Sequence, residues 1–411
     1  MNILFIHGNY PAQFKSILID LGGQGIHDIR FLTARKDPGK FPIKGIKTLQ
    51  YEDVNNECRE FNTSSQAIAN ELISRGEIVQ RKVIELINDR YIPQLVIFHG
   101  GNGLGLFLRQ ALPKAALIGY FEWYFSNRCA KLILNCSNIA TLNYIQTRNI
   151  STENEILSCD AAVVPTQWQA SQFPSKLQEN LSIIFDGVDT SYFKPRDNAL
   201  FEEVITIQGE DNALTINKGE LLLTYATRGM EPLRGFPEFV RAIPTLLEKL
   251  PNLKILIGGR DRSAYGPRCP SHEGSWKEMM LEEIPILKNH PRITFTGLMS
   301  YGEYLKMLQR TNLHIYLTHP YVTSWSLFEA AACGAPVLTN QSAATTGIIP
   351  MAESNTINSV EEMNQPEGIS KALTLLTMKS NKRCSNLESK FSLDTSKNQW
   401  EKLINTALKR Q

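Results

Sequence analysis

The sequence has almost no excess charge, no long apolar run and no cysteine-pair motif. Its 43 lysines and arginines against 41 aspartates and glutamates give a net charge of +2 at pH 7, whereas a nucleic-acid-binding protein needs a basic excess to neutralise phosphates. No window approaches the roughly 18 continuous apolar residues of a membrane span, and the chain starts with a strand-like segment rather than a signal peptide. We therefore expect a cytoplasmic protein with no nucleic-acid partner and at most peripheral membrane contact.

Cysteine usage indicates neither disulfides nor a zinc site. The seven cysteines are an odd number without any C-x-x-C spacing, so they fit neither a disulfide framework nor the common zinc-binding patterns. We interpret them all as packing residues: Cys58, Cys129, Cys136, Cys159, Cys269, Cys333 and Cys384.

What the sequence does contain is a regular alternation of strand and helix patterns. Its 411 residues suit two domains of about 200 residues each. Continuous apolar strands separated by helical periods are typical of a parallel sheet covered by helices on both faces. We predict an α/β protein with two doubly wound, Rossmann-like domains. Predicted elements of the first half are strands Ile3–Ile6, Ile29–Leu32, Leu95–Phe98, Ala116–Ile118, Ala161–Val164 and Leu181–Phe185, and helix Ser64–Asn88.

The alternation resumes after a polar, turn-rich segment at residues 187–219. Two short alternating runs there, around Val204–Ile207 and Ala213–Ile216, predict a hairpin within a linker. The predicted division is a first domain at 1–190, a linker at 191–219, a second domain at 220–385 and, at 386–411, a terminal helix that can pack back toward the first domain. Predicted elements after the linker are Leu221–Tyr225, Phe236–Lys249, Leu253–Ile257, Gly274–Lys288, Ile293–Phe295, Tyr301–Thr311 and Thr395–Leu408.

The stretch Leu313–Thr339 has the pattern of a strand, a loop, a helix and a second strand. A helix that begins where a parallel strand ends presents unpaired backbone N–H groups and a positive dipole end, which together favour a bound phosphate. The same residues also have a structural interpretation. Ser326 and Glu329 have the spacing of a capping box, and Trp325 could equally belong to the core.

A second strand-end loop, within Leu221–Phe239, carries two arginines. Arg228 and Arg234 precede a helix predicted to begin near Phe236. Two guanidinium groups suit a diphosphate, because each planar fork can bond two oxygens and stays charged. The alternative is that both arginines are ordinary solvated surface residues.

Strand ends in the first half offer polar groups of another kind. His7 and Asn9 follow the first strand, a glycine-rich loop follows His99, and Glu122 lies among four aromatic residues. Flexible glycines allow the backbone to approach a ligand closely, and a carboxylate there can orient sugar hydroxyls or take a proton. A strand-end histidine such as His99 can also be a purely structural hydrogen-bonding residue.

Seven motifs together resemble the retaining nucleotide-sugar glycosyltransferases of family 4, which have the two-domain GT-B fold. The resemblance extends from Met1 to about Thr345. It rests on ILFIHGNYPAQF, VVPTQWQASQFP, DGVDTSYFKP, LTYATRGMEPLRGFPEF, ILIGGRDRSAYG, ITFTGLMSYGEYLKML and IYLTHPYVTSWSLFEAAACGAPVLT.

The resemblance implies that the first domain binds the acceptor and the second binds the nucleotide sugar. Arg228 and Arg234 would hold the donor diphosphate, and Glu329 would hold the ribose hydroxyls. With His99 and Glu122, the two arginines form the catalytic set that we predict. Further expected donor contacts are Gly259, Arg260, Leu298, Met299, Ser324, Trp325, Ser326 and Leu327, and expected acceptor-side contacts are His7, Asn9, Gly101 and Asn102.

The implied reaction transfers a hexose, with UDP-glucose as the leading donor, to a hydroxyl of a carbohydrate or lipid-linked acceptor in polysaccharide or glycoconjugate biosynthesis. Anomeric configuration would be retained by a front-face displacement in which the leaving diphosphate assists loss of the acceptor proton. No Asp-x-Asp triplet occurs, so we expect neither a divalent ion nor another cofactor.

Some positions depart from the family pattern. Tyr321 stands where a glutamate usually holds the donor sugar, and the spacing from Arg228 to Arg234 is one residue longer than usual. Asp186 stands where Asn or His is common, and the segment after Thr339 lacks the usual acidic contact. We interpret these departures as marks of a subgroup with a Ser-Trp-Ser loop.

Three other functions fit parts of the sequence. A nicotinamide dehydrogenase would need G-x-G-x-x-G after the first strand, which Ile6–Pro11 does not supply. A non-catalytic sugar-nucleotide-binding protein would keep Arg228, Arg234 and Glu329 but release no nucleotide product. A GT-B sugar-nucleotide epimerase fits the acceptor-side loop and the arginine loop less well than a transferase does.

Overall fold

The computed structural model describes residues 1–54, 64–127, 138–196, 204–378, 385 and 387–410. Two compact units divide the chain: the first consists of Met1–Gly187 with Ser389–Gln411, and the second of Val188–Glu388. Each unit is built on its own parallel sheet with connecting helices. This architecture confirms the predicted α/β class with two doubly wound, Rossmann-like domains.

The first unit contains a seven-stranded parallel sheet. Its strands are β1 Asn2–His7, β2 Asp28–Thr33, β3 Ile46–Gln50, β4 Leu95–His99, β5 Ala116–Tyr120, β6 Ala161–Val164 and β7 Leu181–Ile183. Their order across the sheet is β3-β2-β1-β4-β5-β6-β7, so the order reverses between β1 and β4. The helices are α1 Lys15–Gln24, α2 Ser65–Asn88, α3 Leu108–Ala111, α4 Ile139–Ser158, α5 Gln167–Ala170 and α6 Ser175–Gln178.

The second unit repeats this design with six parallel strands. They are β10 Leu221–Gly229, β11 Leu253–Arg260, β12 Ile293–Gly297, β13 Leu313–Tyr316, β14 Val337–Asn340 and β15 Thr356–Ile357. The order is β12-β11-β10-β13-β14-β15, with the reversal between β10 and β13. The helices are α7 Phe236–Lys249, α8 Trp276–Glu283, α9 Tyr301–Arg310, α10 Trp325–Ala332 and α11 Pro366–Thr377.

The predicted hairpin is present and belongs to the second unit. Strands β8 Ile205–Gln208 and β9 Ala213–Ile216 pair in antiparallel fashion. The Glu210 amide donates a 2.8 Å hydrogen bond to the carbonyl of Phe295 in β12. The segment predicted as a separate linker is therefore attached to the second sheet, although its residues 197–203 lie outside the described residues.

The end of the chain returns to the first unit as α12 Leu393–Leu408. Trp400 and Ile404 are buried in the cluster that contains Ile3 and Phe5 of β1. Ser396 Oγ also donates a 2.6 Å hydrogen bond to the carbonyl of Phe185. The amphipathic pattern predicted for the terminal helix is thus accounted for by burial of one helix face.

Several elements differ from the predicted set. Six helices were not among the predicted elements: α1, α3, α4, α5, α6 and α11. The edge strands β3 and β15 were not predicted, because β3 is only partly buried and β15 has two residues. The predicted helix Gly274–Lys288 is shorter, since α8 ends at Glu283 and a 3₁₀ turn follows at Pro285–Leu287. Proline lacks the N–H that would continue the α-helical hydrogen bonding.

Cys159, Cys269 and Cys333 form no disulfide within the described residues, and Cys269 and Cys333 are buried. The other four predicted packing residues, Cys58, Cys129, Cys136 and Cys384, lie outside the described residues. Within the described ranges there is no cluster of three or more potential metal ligands. No helix in those ranges combines the length and hydropathy needed to cross a bilayer.

Candidate functional site

Some of the predicted site residues of each unit lie where the strand order of its sheet reverses. In the first unit His7 ends β1 and His99 ends β4. In the second, Arg228 is near the end of β10 and Thr318 follows β13. Adjacent parallel strands at such a reversal leave a crevice at their carboxyl ends, which is the usual ligand position in doubly wound sheets.

A chain of hydrogen bonds connects the strand ends of the first unit. The amide of Asn9 donates to His7 Nδ1 at 2.7 Å, so Nδ1 is the acceptor and Nε2 carries the proton. His7 Nε2 lies 2.9 Å from Gln13 Oε1, and Gln13 Nε2 donates to Glu122 Oε1 at 2.7 Å. Glu122 Oε2 lies 3.3 Å from Nε2 of His99. The predicted residues His7, Asn9, His99 and Glu122 therefore form one connected group.

The glycine loop after His99 is held by a buried carboxylate that the sequence did not reveal. Glu155 is fully buried in α4, and its two oxygens accept the amides of Gly101 at 2.5 Å and Gly105 at 2.8 Å. Between them, the Gly103 amide donates to Ser151 Oγ at 2.9 Å. Burial raises the pKa of Glu155 to about 7, against the opposing effect of these hydrogen bonds.

Asn102, one of the two predicted acceptor-side residues of this loop, is fixed from two directions. Arg75, buried in α2, donates to the Asn102 carbonyl at 3.0 Å and forms 2.7 Å ion pairs with Asp53 and Glu71. Arg148 Nη2 donates to Asn102 Oδ1 at 3.2 Å. The Asn102 side-chain amide lies 3.4 Å from His99 Nδ1. Asn102 is thus oriented toward the same histidine that faces Glu122.

Asp186 has a buried structural partner. The hydroxyl of Tyr120 donates to the Asp186 carboxylate, and the Asp186 carbonyl accepts from Ser16 Oγ at 3.0 Å. Burial, followed by the nearby charge of Asp186, raises the pKa of Tyr120 well above its usual value. At position 186, where Asn or His is usual in the family, the aspartate is therefore paired with the neutral hydroxyl of Tyr120.

In the second unit, Arg234 is a buried cation without a described carboxylate partner. It is 4% exposed, and its guanidinium donates to Thr318 Oγ1 at 2.7 Å and to the Val322 carbonyl at 2.9 Å. Both acceptors are uncharged, and within the described ranges Arg234 forms no ion pair. A buried charge without a counter-charge is costly, so this site favours an anionic ligand. The interpretation of Arg234 as a solvated surface residue is wrong.

Arg228 and Arg234 converge on one tyrosine. Arg228 is exposed and donates to Tyr265 Oη at 3.0 Å. The guanidinium carbons of Arg228 and Arg234 lie 5.7 and 5.6 Å from the centroid of the Tyr265 ring. The ring of Tyr321, the residue that replaces the usual glutamate, packs on Tyr265 at a centroid distance of 5.2 Å. The sequence motif contained Tyr265, but nothing in its spacing indicated this contact.

The predicted capping box of Ser326 and Glu329 is wrong. Helix α10 begins at Trp325, and its cap is Ser324, whose Oγ accepts from the Ser326 amide at 3.4 Å. Glu329 therefore lies in the second turn, too far along the helix to bond the first amide. Its charge instead contributes to raising the pKa of Tyr301 and Tyr304 in α9, for which burial is the larger cause.

The other residues predicted around the start of α10 differ in exposure. Trp325 is 38% exposed, whereas Ser326 is 8% exposed and Leu327 is fully buried. Ser324 is held by its amide, which donates to the Tyr316 hydroxyl at 2.9 Å. Of these side chains, Trp325 is thus the one most available to a ligand, and the interpretation of Trp325 as a core residue is wrong.

The predicted residues after β11 and β12 lie on the other side of β10 from Thr318. Gly259 has a φ of +127°, and a Cβ there would approach the Thr227 carbonyl to 2.1 Å, so only glycine fits. Arg260 is exposed at the end of β11. After β12, Leu298 is 72% exposed and Met299 is half-buried. These residues lie at the carboxyl ends of their strands, on the same side of the sheet as the two arginines.

Residues 25–193 match the family model described as glycosyl transferase family 4 group, and residues 207–390 match the one described as glycosyl transferases group 1. Residues 25–193 are therefore similar to the first family, and residues 207–390 to the second. The resemblance seen in the sequence motifs is confirmed at this level. No curated protein sequence matches the chain significantly.

Solved structures extend this finding to the fold. Anabaena HepE, in complex with UDP and glucose, has a TM-score of 0.65 at 12% identity over 99% of this chain and 100% of its own. Sucrose-phosphate synthase from Thermosynechococcus elongatus has a TM-score of 0.66 at 15% identity over 100% of both chains. A glycosyltransferase from Rickettsia africae has a TM-score of 0.66 at 14% identity over 100% of this chain and 99% of its own. At these identities the similarity establishes the fold alone, which is GT-B.

The raised pKa of Glu155 predicts a pH-dependent stability of the first unit. An unfolded glutamate titrates near 4.3, so between about pH 4.5 and 7 the folded state binds more protons than the unfolded state. The free energy of unfolding should then fall as the pH rises through this window, by about 1–3 kcal/mol from this group. Glu155→Gln should remove that contribution, as chemical denaturation at pH 5, 6.5 and 8 would reveal.

The matched control is Glu77→Gln on an exposed position of α2. It should keep the pH dependence of the wild type. Parallel curves for the wild type and Glu155→Gln across the three pH values would contradict the account of Glu155.

Proposed function

We propose that this protein is a retaining, metal-independent glycosyltransferase that moves a hexose from a UDP-sugar to an acceptor hydroxyl. UDP-glucose is the leading donor, and the acceptor is a carbohydrate or a lipid-linked carbohydrate in cytoplasmic polysaccharide or glycoconjugate biosynthesis. The observation that carries the proposal is the buried guanidinium of Arg234. Among the described residues its hydrogen-bond acceptors are uncharged, and it lies, like the guanidinium of Arg228, next to the ring of Tyr265. The two glycosyltransferase family matches support the reaction class.

The arginines would act on the departing diphosphate. As the bond from the anomeric carbon to the diphosphate oxygen breaks, negative charge develops on the leaving group. Arg228 and Arg234 stabilise that charge without a metal, since preorganised donors are effective in a site of low dielectric. The acceptor oxygen attacks from the same face, and the leaving phosphate oxygen takes its proton, so that configuration is retained.

The start of α10 would supply a second set of donors. Backbone N–H groups at a helix N-terminus and the positive dipole end favour phosphate. This start is adjacent in sequence to the loop that carries Thr318 and the Val322 carbonyl, the two acceptors of Arg234. We therefore assign the start of α10, at Trp325, Ser326 and Leu327, to the phosphate and donor sugar, which would compete with Ser324 for the amides of Ser326 and Leu327. We assign Glu329, one turn further on, to the ribose hydroxyls.

The hydrogen-bonded group of the first unit would bind the acceptor. Glu122 and His99 lie 3.3 Å apart, and Asn9 and Asn102 contact the two histidines. Carboxylate, imidazole and amide groups at such spacing suit the alternating donors and acceptors of sugar hydroxyls. We assign Glu122 and His99 to orienting the reactive hydroxyl and His7, Asn9, Gly101 and Asn102 to the rest of the acceptor.

The identity of the nucleotide is supported by the fold neighbours. The HepE structures include complexes with UDP and glucose and with UDP-glucose. We expect this chain to bind UDP at least tenfold more tightly than GDP or ADP, measured by calorimetry on the full chain. Tighter binding of a purine nucleotide would contradict the uridine assignment. UDP binding without UDP release from UDP-glucose across a panel of acceptors would instead favour a non-catalytic binding protein.

Removing either arginine should cost transition-state stabilisation. Arg228→Ala and Arg234→Ala should each lower kcat/KM for nucleotide release by the equivalent of about 2–4 kcal/mol. Because Arg234 is buried without a described counter-charge, its removal should leave the melting temperature unchanged or raise it. A control is Arg241→Ala on α7, whose partner is Glu283 near the surface. Near-normal turnover in both site variants would refute the role of the arginine loop.

Glu329 can be separated from the capping of α10. Glu329→Gln should weaken UDP binding by about 1.5–3 kcal/mol, because hydrogen bonds to an ionised acceptor are about twice as strong as neutral ones. Its melting temperature should stay close to that of the wild type. Ser324→Ala should lower stability by about 1 kcal/mol through loss of the cap, while Ser326→Ala should not show the loss of a cap. Normal UDP affinity in Glu329→Gln would leave this residue with a structural role only.

A further inference from the structure

A buried carboxylate lies next to the arginine loop, and the proposed mechanism does not use it. Glu231 is fully buried, and its Oε2 accepts the amides of three successive residues, Ala264, Tyr265 and Gly266, at 3.0, 3.1 and 2.8 Å. In the described part of the chain no lysine or arginine pairs with Glu231. Backbone amides of the turn that carries Tyr265 therefore stabilise this carboxylate through Oε2, while the buried Oε1 has no hydrogen-bond partner among the described residues.

The main chain of Glu231 is bound into the arginine loop. Its carbonyl accepts the amides of Arg234 at 3.0 Å and Phe236 at 3.3 Å. One residue thus connects the turn of Tyr265, through its side chain, with the backbone of Arg234, through its carbonyl. Both connections lie within the second unit.

The turn is also packed closely against the end of β10. A Cβ on Gly229 would lie 2.5 Å from the Arg262 carbonyl, and a Cβ on Gly266 would lie 3.3 Å from Glu231 Oε2. At Gly229 the strand backbone therefore contacts the backbone of Arg262. At Gly266 the close approach brings the Gly266 amide to the Glu231 carboxylate. The first approach is possible only because Gly229 lacks a side chain, whereas a side chain at position 266 would require the carboxylate to shift by a few tenths of an ångström.

We infer that Glu231 is a positioning residue for the anion site: it fixes the turn Ala264–Gly266 so that Tyr265 holds Arg228 and Arg234 ready for a diphosphate. The identity of that anion rests on the proposed function. Glu231 itself does not touch the ligand. It acts through Tyr265, whose hydroxyl accepts from Arg228 and whose ring faces both guanidiniums.

The physical benefit is preorganisation. A long arginine side chain loses rotamer freedom when it binds, and a group already held in the bound geometry loses less. Hydrogen bonds from amides to a charged carboxylate are about twice as strong as those to a neutral acceptor. A neutral residue at position 231 should therefore hold the turn less firmly and leave the Tyr265–Arg228 contact less populated.

The test is a double-mutant cycle read by calorimetry with two probes, UDP and inorganic pyrophosphate. Glu231→Gln should weaken binding of both probes about tenfold. In a Tyr265→Ala background the same substitution should have an effect of less than about twofold, because the residue through which it acts is gone. A residue that only stabilised the fold would weaken binding equally in both backgrounds.

Controls separate positioning from stability. Glu238→Gln changes a second, half-buried glutamate of the same unit, in α7, and should leave both affinities unchanged. If Glu231→Gln does not fold, Glu231→Asp keeps the charge but shortens its reach. It should then show the same loss of affinity for both probes and the same dependence on Tyr265.

The outcomes distinguish this inference from the proposed function. Wild-type affinity in Glu231→Gln, or equal losses in both backgrounds, would overturn the role of Glu231 and leave UDP binding by the wild type intact. Binding of pyrophosphate but not UDP would reject the uridine donor, while the cycle would still decide the role of Glu231. A wild-type chain that binds neither probe would overturn both.

Discussion

Each unit depends on a parallel sheet whose strand order reverses once. Because parallel strands end at the same edge, the loops that leave neighbouring strands at the reversal must lie side by side. In the first unit this brings His7 and His99 to a ring-centroid distance of 4.4 Å. In the second it brings Arg234, after β10, to Thr318, after β13. The candidate site residues, distant in sequence, are neighbours for this topological reason.

Two buried charged groups of the candidate sites, Glu155 in the first unit and Arg234 in the second, have different kinds of partner. In the first, Glu155 is buried, and amides of the glycine loop oppose the effect of burial on its pKa. In the second, the buried Arg234 cation has uncharged described acceptors. Both oxygens of Glu155 have hydrogen-bond donors within the protein, whereas Arg234 leaves a positive site that an anion can complete. This contrast is consistent with the proposed division between sugar-hydroxyl binding in the first unit and phosphate binding in the second.

Hydrophobic periodicity predicted most of the fold, because buried parallel strands such as β4 are continuous apolar runs and α2 has a clear apolar face. It failed at β3, whose residues are mostly half-buried. Motif spacing indicated the loops of Arg228 and Glu122, but not the partners Glu155, Glu231 and Tyr265. Those contacts join residues on different loops and helices, and a capping pattern alone could not tell that Ser324, rather than Ser326, ends the loop before α10.

The most direct test of the account is a crystal structure of the chain grown with UDP. We expect the diphosphate at the carboxyl end of β10, with its oxygens within hydrogen-bonding distance of the guanidiniums of Arg228 and Arg234, and the Tyr265 turn unchanged. Nucleotide bound elsewhere on the second unit, or with its diphosphate away from both arginines, would contradict the central claim that the buried Arg234 site is completed by the donor phosphate.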